Sequence, residues 1–432
     1  MLRFVDTGAF AGLAAIALAM SAQAEAQTLP QAIADAYATN PALAEARARQ
    51  DAVAEAPEQA RTAGRPEIGF DAGSQIGSSD SGSVSVAGTL PLWTGGRVAT
   101  AVRAADADVL AGEARLRDIE MAVLEDVVAA FAEVLFAQEA QAIAEIGIER
   151  LDAQVNEAQV RFDLGDATLT DVARLQAQRA DVASNLADAQ AALARARASY
   201  RAVVGSEPGT LRASAATPAS IPPDLKTARA LADVANPQVL ERLALSEAAQ
   251  ARIANARAQG APSLGLTASG GQLTAFGSGG SSFLPDRFGT VGLIFRIPLS
   301  TGGLVSSRVR EASALARAED HAVDVARRAA ARAVDNAWAS LRGAEERLAI
   351  GEVGRAAADT ALRGVRAEYE LGLRSTLDLL IAEQSLRAAE LGIARSRSDV
   401  MLAEAQLLRA VGALTIDAYL LAIVTYGSKV SK

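Results

Sequence analysis

The sequence predicts a mainly helical chain with a smaller β part, built from one unit used twice. Three observations predict it. RFDLGDATLTD at 161–171 returns as EYELGLRSTLD at 368–378, so Gly165, Thr168 and Asp171 match Gly372, Ser375 and Asp378, each 207 positions on. Long Ala-rich runs of helical period flank both copies, and two shorter stretches alternate with period two.

Composition narrows the class. Of 432 residues, 50% are apolar but only 4% aromatic, which suits long helices packed through small side chains better than bulky cores. The net charge of -9 argues against nucleic acid as a partner. With no cysteine there are no disulfides and no thiol chemistry. No segment after the N-terminus offers 18 consecutive apolar residues, so entry into a membrane would use strands.

In chain order, residues 1–24 read as a signal peptide, with Arg3, an apolar Phe10–Met20 stretch and Ala22-Gln23-Ala24 at the cleavage site. Residues 28–65 read as two helices, broken at Asn40-Pro41 and stopped by Pro66. Residues 66–92 read as a β-hairpin. Ile68, Phe70 and Ala72 alternate with Glu67, Gly69 and Asp71, a polar turn spans Gly77–Gly82, and Val84, Val86 and Gly88 alternate with Ser83, Ser85 and Ala87. Strands of about ten residues have the length of transmembrane β-strands.

From 93 to 204 the helical period returns. Val98, Val102, Ala105, Val109, Leu116, Ile119, Val123, Val127, Phe131 and Val134 form its stripe. Some ~66 residues before Gly165 would span roughly 100 Å, and near-heptad spacing argues for coiled-coil packing with a helix returning from Thr168. Residues 205–223 form a Pro-rich linker. The pattern then repeats, as helices over 224–261, a hairpin over 262–299 and a helical hairpin over 300–412. In the second β-hairpin the strands read as Ser263–Ser269 and Phe288–Leu299, around a Gly/Ser-rich turn. Asn236-Pro237 and Pro262 repeat Asn40-Pro41 and Pro66 at offset 196, whereas Pro298–Gly303 repeats 91–96 at 207, which places an 11-residue insertion in the second hairpin. The tail over 413–432 is not duplicated.

Two β-hairpins give four strands, too few to close a barrel. An open edge in lipid leaves backbone groups unpaired, so transmembrane hairpins require oligomerisation. Two chains would give eight strands with a filled interior, and three would give twelve with room for an aqueous lumen.

The order of Asn40-Pro41, Pro66, Pro91-Leu92, Gly95-Gly96, Gly165 and Thr170-Asp171, with their second-half counterparts, resembles the TolC-type family of outer-membrane efflux proteins. The resemblance covers about 28 to 420. It implies a homotrimer with a 12-stranded barrel in outer-membrane lipid, continued by a periplasmic helical barrel. It implies an exit duct for efflux or type I secretion. It further implies docking with a periplasmic adaptor and an inner-membrane transporter of ABC, RND or MFS type.

The tip residues have a plain structural reading. Gly165 and Gly372 end helices in the left-handed conformation, Thr168 and Ser375 cap the next helices, and Asp171 and Asp378 complete capping boxes. The resemblance adds a gate: Tyr369 and Arg374 would bond Asp171 on a neighbouring tip, and Asp378 would line the entrance. Gly165, Thr168, Gly372 and Ser375 would meet the adaptor. Ile381 stands where some relatives carry a further acid.

Trp93 is a candidate interface aromatic, and Phe70, Phe283, Phe288 and Phe295 are candidate lipid-facing or girdle residues. Catalytic groups are not expected: His321 is the single histidine, and no metal site or cofactor motif stands out. The alternative to the duct is a soluble periplasmic coiled-coil scaffold or adaptor. A diffusion porin would need strands to outnumber helices.

Overall fold

The computed structural model describes residues 27–75, 80–212, 221–276 and 286–419. The expected signal peptide, Phe283, Pro218 of the linker and the tail from Leu420 lie outside them.

Two helices dominate, α4 (Arg97–Asp163) and α8 (Leu304–Glu370), each of 67 residues and so about 100 Å long. Each is followed by an antiparallel partner about half its length, α5 (Leu169–Val204) after α4 and α9 (Thr376–Ala410) after α8. The partners cover only the half of each long helix nearest the tips. The other half packs against α1 (Leu29–Thr39), α2 (Pro41–Ala54), α3 (Ala56–Thr62), α6 (Leu225–Ala235) and α7 (Pro237–Ala258). Near the tips the helices stand in one row, α5–α4–α9–α8.

Small residues make this close packing possible. The buried positions of α4 include Ala104, Ala107, Ala111, Ala114, Ala130 and Ala137. Bulky residues gather in one cluster, where Phe131, Val127 and Leu124 of α4 meet Tyr200 of α5, Ile33 of α1 and Leu408 of α9. Leu414 and Tyr419, from the unduplicated tail, are buried in the same cluster and close it.

One helix departs from expectation. The chain from Pro41 breaks at Glu55 instead of continuing to Gly64, because Pro57 lacks an N–H and fits only a first helical turn, here that of α3.

Four strands form one antiparallel sheet in the order β1-β2-β3-β4: β1 (Glu67–Gln75), β2 (Asp80–Trp93), β3 (Ser263–Phe276) and β4 (Asp286–Arg296). The two hairpins join through β2 and β3. Its faces differ. Ile68, Phe70, Val84, Val86, Leu266, Val291, Leu293 and Phe295 share one face, and Asp71, Ser83, Ser85, Thr89, Thr267, Ser269 and Thr290 share the other.

Several strand boundaries differ from the sequence reading. β3 runs through Phe276 instead of ending at Ser269, because β2 offers a full ladder to pair with. Gly271 permits it: a Cβ there would lie 2.5 Å from the Val84 carbonyl oxygen. β2 starts at Asp80, so Gly82 belongs to the strand and not to the turn. β4 stops at Arg296, short of Pro298, which has no ladder donor.

Phe288 falls on the polar face, opposite Gly271, while Phe295 is on the apolar face. A register irregularity between Pro91 and Trp93 places Trp93 opposite Leu264, on the apolar face and half exposed.

Candidate functional site

Both helical hairpins end in the same backbone device. At the first tip the Gly165 N–H donates to the Phe162 carbonyl (3.0 Å) and the Asp166 N–H to that of Arg161 (2.8 Å). At the second, Gly372 donates to Tyr369 (2.9 Å) and Leu373 to Glu368 (2.8 Å). This pair of bonds requires a left-handed residue, and Gly165 and Gly372 have φ of 86° and 75°.

The next helices begin alike. Thr168 Oγ1 donates to Asp171 Oδ2 (2.7 Å), and the Asp171 N–H returns to Thr168 Oγ1 (3.2 Å). Ser375 Oγ donates to Asp378 Oδ2 (2.8 Å), and the Asp378 N–H returns to Ser375 Oγ (3.2 Å). The Ser375 hydroxyl, then its N–H, then the Arg374 charge hold the Asp378 carboxyl below the usual carboxylate range. All six duplicated tip residues therefore perform local helix-ending and helix-starting work.

The unduplicated side chains differ. Arg374 Nε donates to Glu368 Oε2 (2.6 Å), within its own tip, and this bond raises the guanidinium's affinity for its proton. Tyr369 meets Arg161 of the other hairpin, whose guanidinium lies 5.2 Å from the ring centre. Asp171 is committed to its cap, and no bond joins it to Arg374 within one chain. Asp171 stands on α5, at one end of the helical row, and Arg374 in the loop that joins α8, at the other end, to α9.

A second polar cluster lies two turns inside the tips, unmarked in the sequence. Glu383 of α9 is almost fully buried. Its Oε1 accepts from Gln154 Nε2 of α4 (2.6 Å) and Arg366 Nη2 of α8 (3.0 Å), and Arg387 Nη1 lies 4.0 Å from Oε2. Burial lowers the Arg387 pKa, and the Glu383 charge opposes that fall. Leu380, one turn earlier, packs into the apolar cluster of the first hairpin with Leu151, Val172 and Leu175. Glu383 and Leu380 thus bind one hairpin to the other. Helical periodicity shows Glu383 on a mixed face, and only the fold brings Gln154 to it.

The family described as outer membrane efflux protein matches residues 32–206 and 229–413. The chain is 31% identical over 377 residues to the outer membrane efflux protein BepC of Brucella suis, covering 85% of this chain and 81% of BepC. It is 24% identical over 277 residues to the outer membrane protein TolC of Escherichia coli, covering 62% of this chain and 56% of TolC. The open-state crystal structure of the Neisseria gonorrhoeae MtrE outer membrane channel shares the fold, with a TM-score of 0.74, 21% identity and coverage of 90% of each chain. These relatives are channel proteins, and the soluble-scaffold alternative falls away. The chain belongs to the outer membrane efflux protein family and is an exit duct of the outer membrane whose helices extend into the periplasm.

Proposed function

We propose that three copies assemble into a 12-stranded barrel continued by a helical tunnel, and that the tips close this tunnel at rest. The observation that carries the gate is the placement of its partners. Arg374 and Tyr369 belong to the α8 end of the row and Asp171 to the α5 end, so a ring of copies sets them side by side across each subunit boundary. Arg374 would exchange its bond to Glu368 for one shared with Asp171 of the next copy. Asp378 would line the entrance, where three copies of its depressed-pKa carboxylate would favour cations.

A periplasmic adaptor would dock on the loops around Gly165, Thr168, Gly372 and Ser375. Leu164 and Leu371, at matching places, are 73% and 74% exposed and offer that partner apolar contacts. The adaptor would couple the duct to an inner-membrane transporter that supplies the energy. The cargo would be small molecules or a secreted polypeptide.

Arg374→Ala tests the gate. Purified trimers in planar bilayers are expected to conduct more than wild type. Unchanged conductance would confine Arg374 and Asp171 to local bonding at the tip surface.

A further inference from the structure

The sheet has two open edges, since β1 pairs only with β2 and β4 only with β3. The helical row opens on the same two sides, with α5 beyond α4 on the β1 side and α8 beyond α9 on the β4 side. One copy therefore presents a β1/α5 edge and a β4/α8 edge, and only another copy offers both complements at once.

At the ends that lead into the helices, the two sheet edges carry opposite charge on the polar face. Glu67 and Asp71 of β1 lie there, and so does Arg296, the last residue of β4. All three are exposed. Their neighbours within the chain are neutral: Glu67 stands opposite Thr89, Asp71 opposite Ser85, and Arg296 opposite Ser263. Asp286, the other charged residue of β4 on that face, lies at the strand's far end.

Register follows from two constraints. Closure must keep the polar face continuous, so the β4–β1 register can move only in steps of two. The ladder within the chain sets Glu67 level with Thr89, Thr267 and Gly292. A strand tilt of roughly 36° corresponds to a shear of about one residue per strand, or about four residues over four strands. Of the two directions, only one lays β1 along β4 instead of beyond its end. That direction brings Arg296 level with Glu67 of the next copy, and the first residue of β1 then ends flush with the last of β4.

We propose that Arg296 of each copy bridges to Glu67 of the next, with Asp71 two pleats further along, and that this ion pair sets the register of the intersubunit seam. The seam rests on the ring assembly proposed above. Formed at every boundary, it pins the barrel edge directly below the strand-to-helix transition, and a slip of two residues would take Arg296 out of direct opposition to Glu67.

The cysteine-free sequence allows a direct test in the full-length protein in outer-membrane preparations. Glu67→Cys combined with Arg296→Cys is expected to give disulfide-linked dimers and trimers on non-reducing gels. Ile68→Cys combined with Arg296→Cys, which places the thiols on opposite faces, is expected to give none. Arg296→Glu should lower the temperature at which the trimer dissociates in detergent, and adding Glu67→Arg should restore it. Crosslinking through position 68 instead of 67, or a charge swap without effect in either variant, would overturn the seam while leaving the trimer standing. A wild-type chain found only as monomer by amine-independent chemical crosslinking would remove the assembly itself.

Discussion

The repeated Asn-Pro reads in the sequence as a helix break, and the structure shows a clasp. Asn40 accepts from the Ala42 and Leu43 N–H groups and donates from Nδ2 to the Val203 carbonyl (2.9 Å). Asn236 accepts from Gln238 and Val239 and donates to the Ala410 carbonyl (2.9 Å). Each Asn ties the start of its repeat to the end of the same repeat's returning helix. The break was legible because Pro fixes its own backbone; the clasp was not, because its partners lie 163 and 174 residues away. Asn236 is buried and Asn40 only partly so. Asn236→Ala is therefore expected to cost about 2–3 kcal/mol, since it strands several buried groups, and Asn40→Ala less. Chemical denaturation of the detergent-solubilised protein measures both. Glu383 follows the same logic. Its removal leaves Arg387, whose side chain is only 12% exposed, without the carboxylate that acts on it most strongly. Glu383→Ala should cost on the order of 3 kcal/mol in that measurement, more than Glu368→Ala at the exposed tip. A third carboxyl answers to pH. Burial, then the nearby Glu345 charge, pushes Glu404 up to about 7. Its raised value means that the folded chain prefers the neutral acid. The stability this confers is fully present below the ordinary glutamate pKa and is lost as pH rises through 7. Glu404→Gln should flatten the pH dependence of thermal unfolding between 4.5 and 7, and raise stability above 7. An unaltered pH profile would rule Glu404 out as its source.

At the scale of elements, strand parity was readable from sequence and helix-ending glycines were readable as turns, but their surroundings were not. Phe288 and Phe295 are an odd number apart, so one strand cannot place both toward lipid, and the ladder separates them. Trp93 is the converse: simple alternation from Leu90 would put it on the polar face, and the irregularity after Pro91 turns it over. The glycines divide by what stands beside them. Gly165 and Gly372 have nothing within 4 Å of a would-be Cβ, so their substitution by Ala meets only the backbone cost of a left-handed residue, about 1 kcal/mol. Gly412, with φ of 77°, would drive a Cβ to 2.2 Å from the Ala235 carbonyl oxygen. Gly412→Ala must therefore move the α6–α7 corner away from the end of α9. It is expected to destabilise the chain several times more than Gly165→Ala or Gly372→Ala. Equal unfolding midpoints for the three variants would show that the corner yields freely.

At the scale of the whole molecule, duplication does what neither hairpin could do alone: it brings two tips to one level. α4 and α8 have equal length, α5 and α9 differ by one residue, and the sole large insertion falls in the second β-hairpin, at the far end from the tips. The offset of 207 was legible because it fixes residue positions directly; the cross-tie through Gln154 and Glu383 was not, because it depends on how the hairpins lean together. Equal reach has a consequence for the proposed gate. Seven residues are close to two helical turns, so removing seven from each arm of one hairpin keeps its apolar face in phase while shortening it by about 10 Å. Done in the second hairpin alone, above the Glu383 cluster, this should withdraw Arg374 and Tyr369 from the level of Asp171 and leave the tunnel conducting at rest. Done in both hairpins, it should bring the tips level again and return conductance to the wild-type value. If the single and double deletions conduct alike as folded trimers, closure does not depend on matched reach, and the tips would have to be held by contacts that tolerate a two-turn offset.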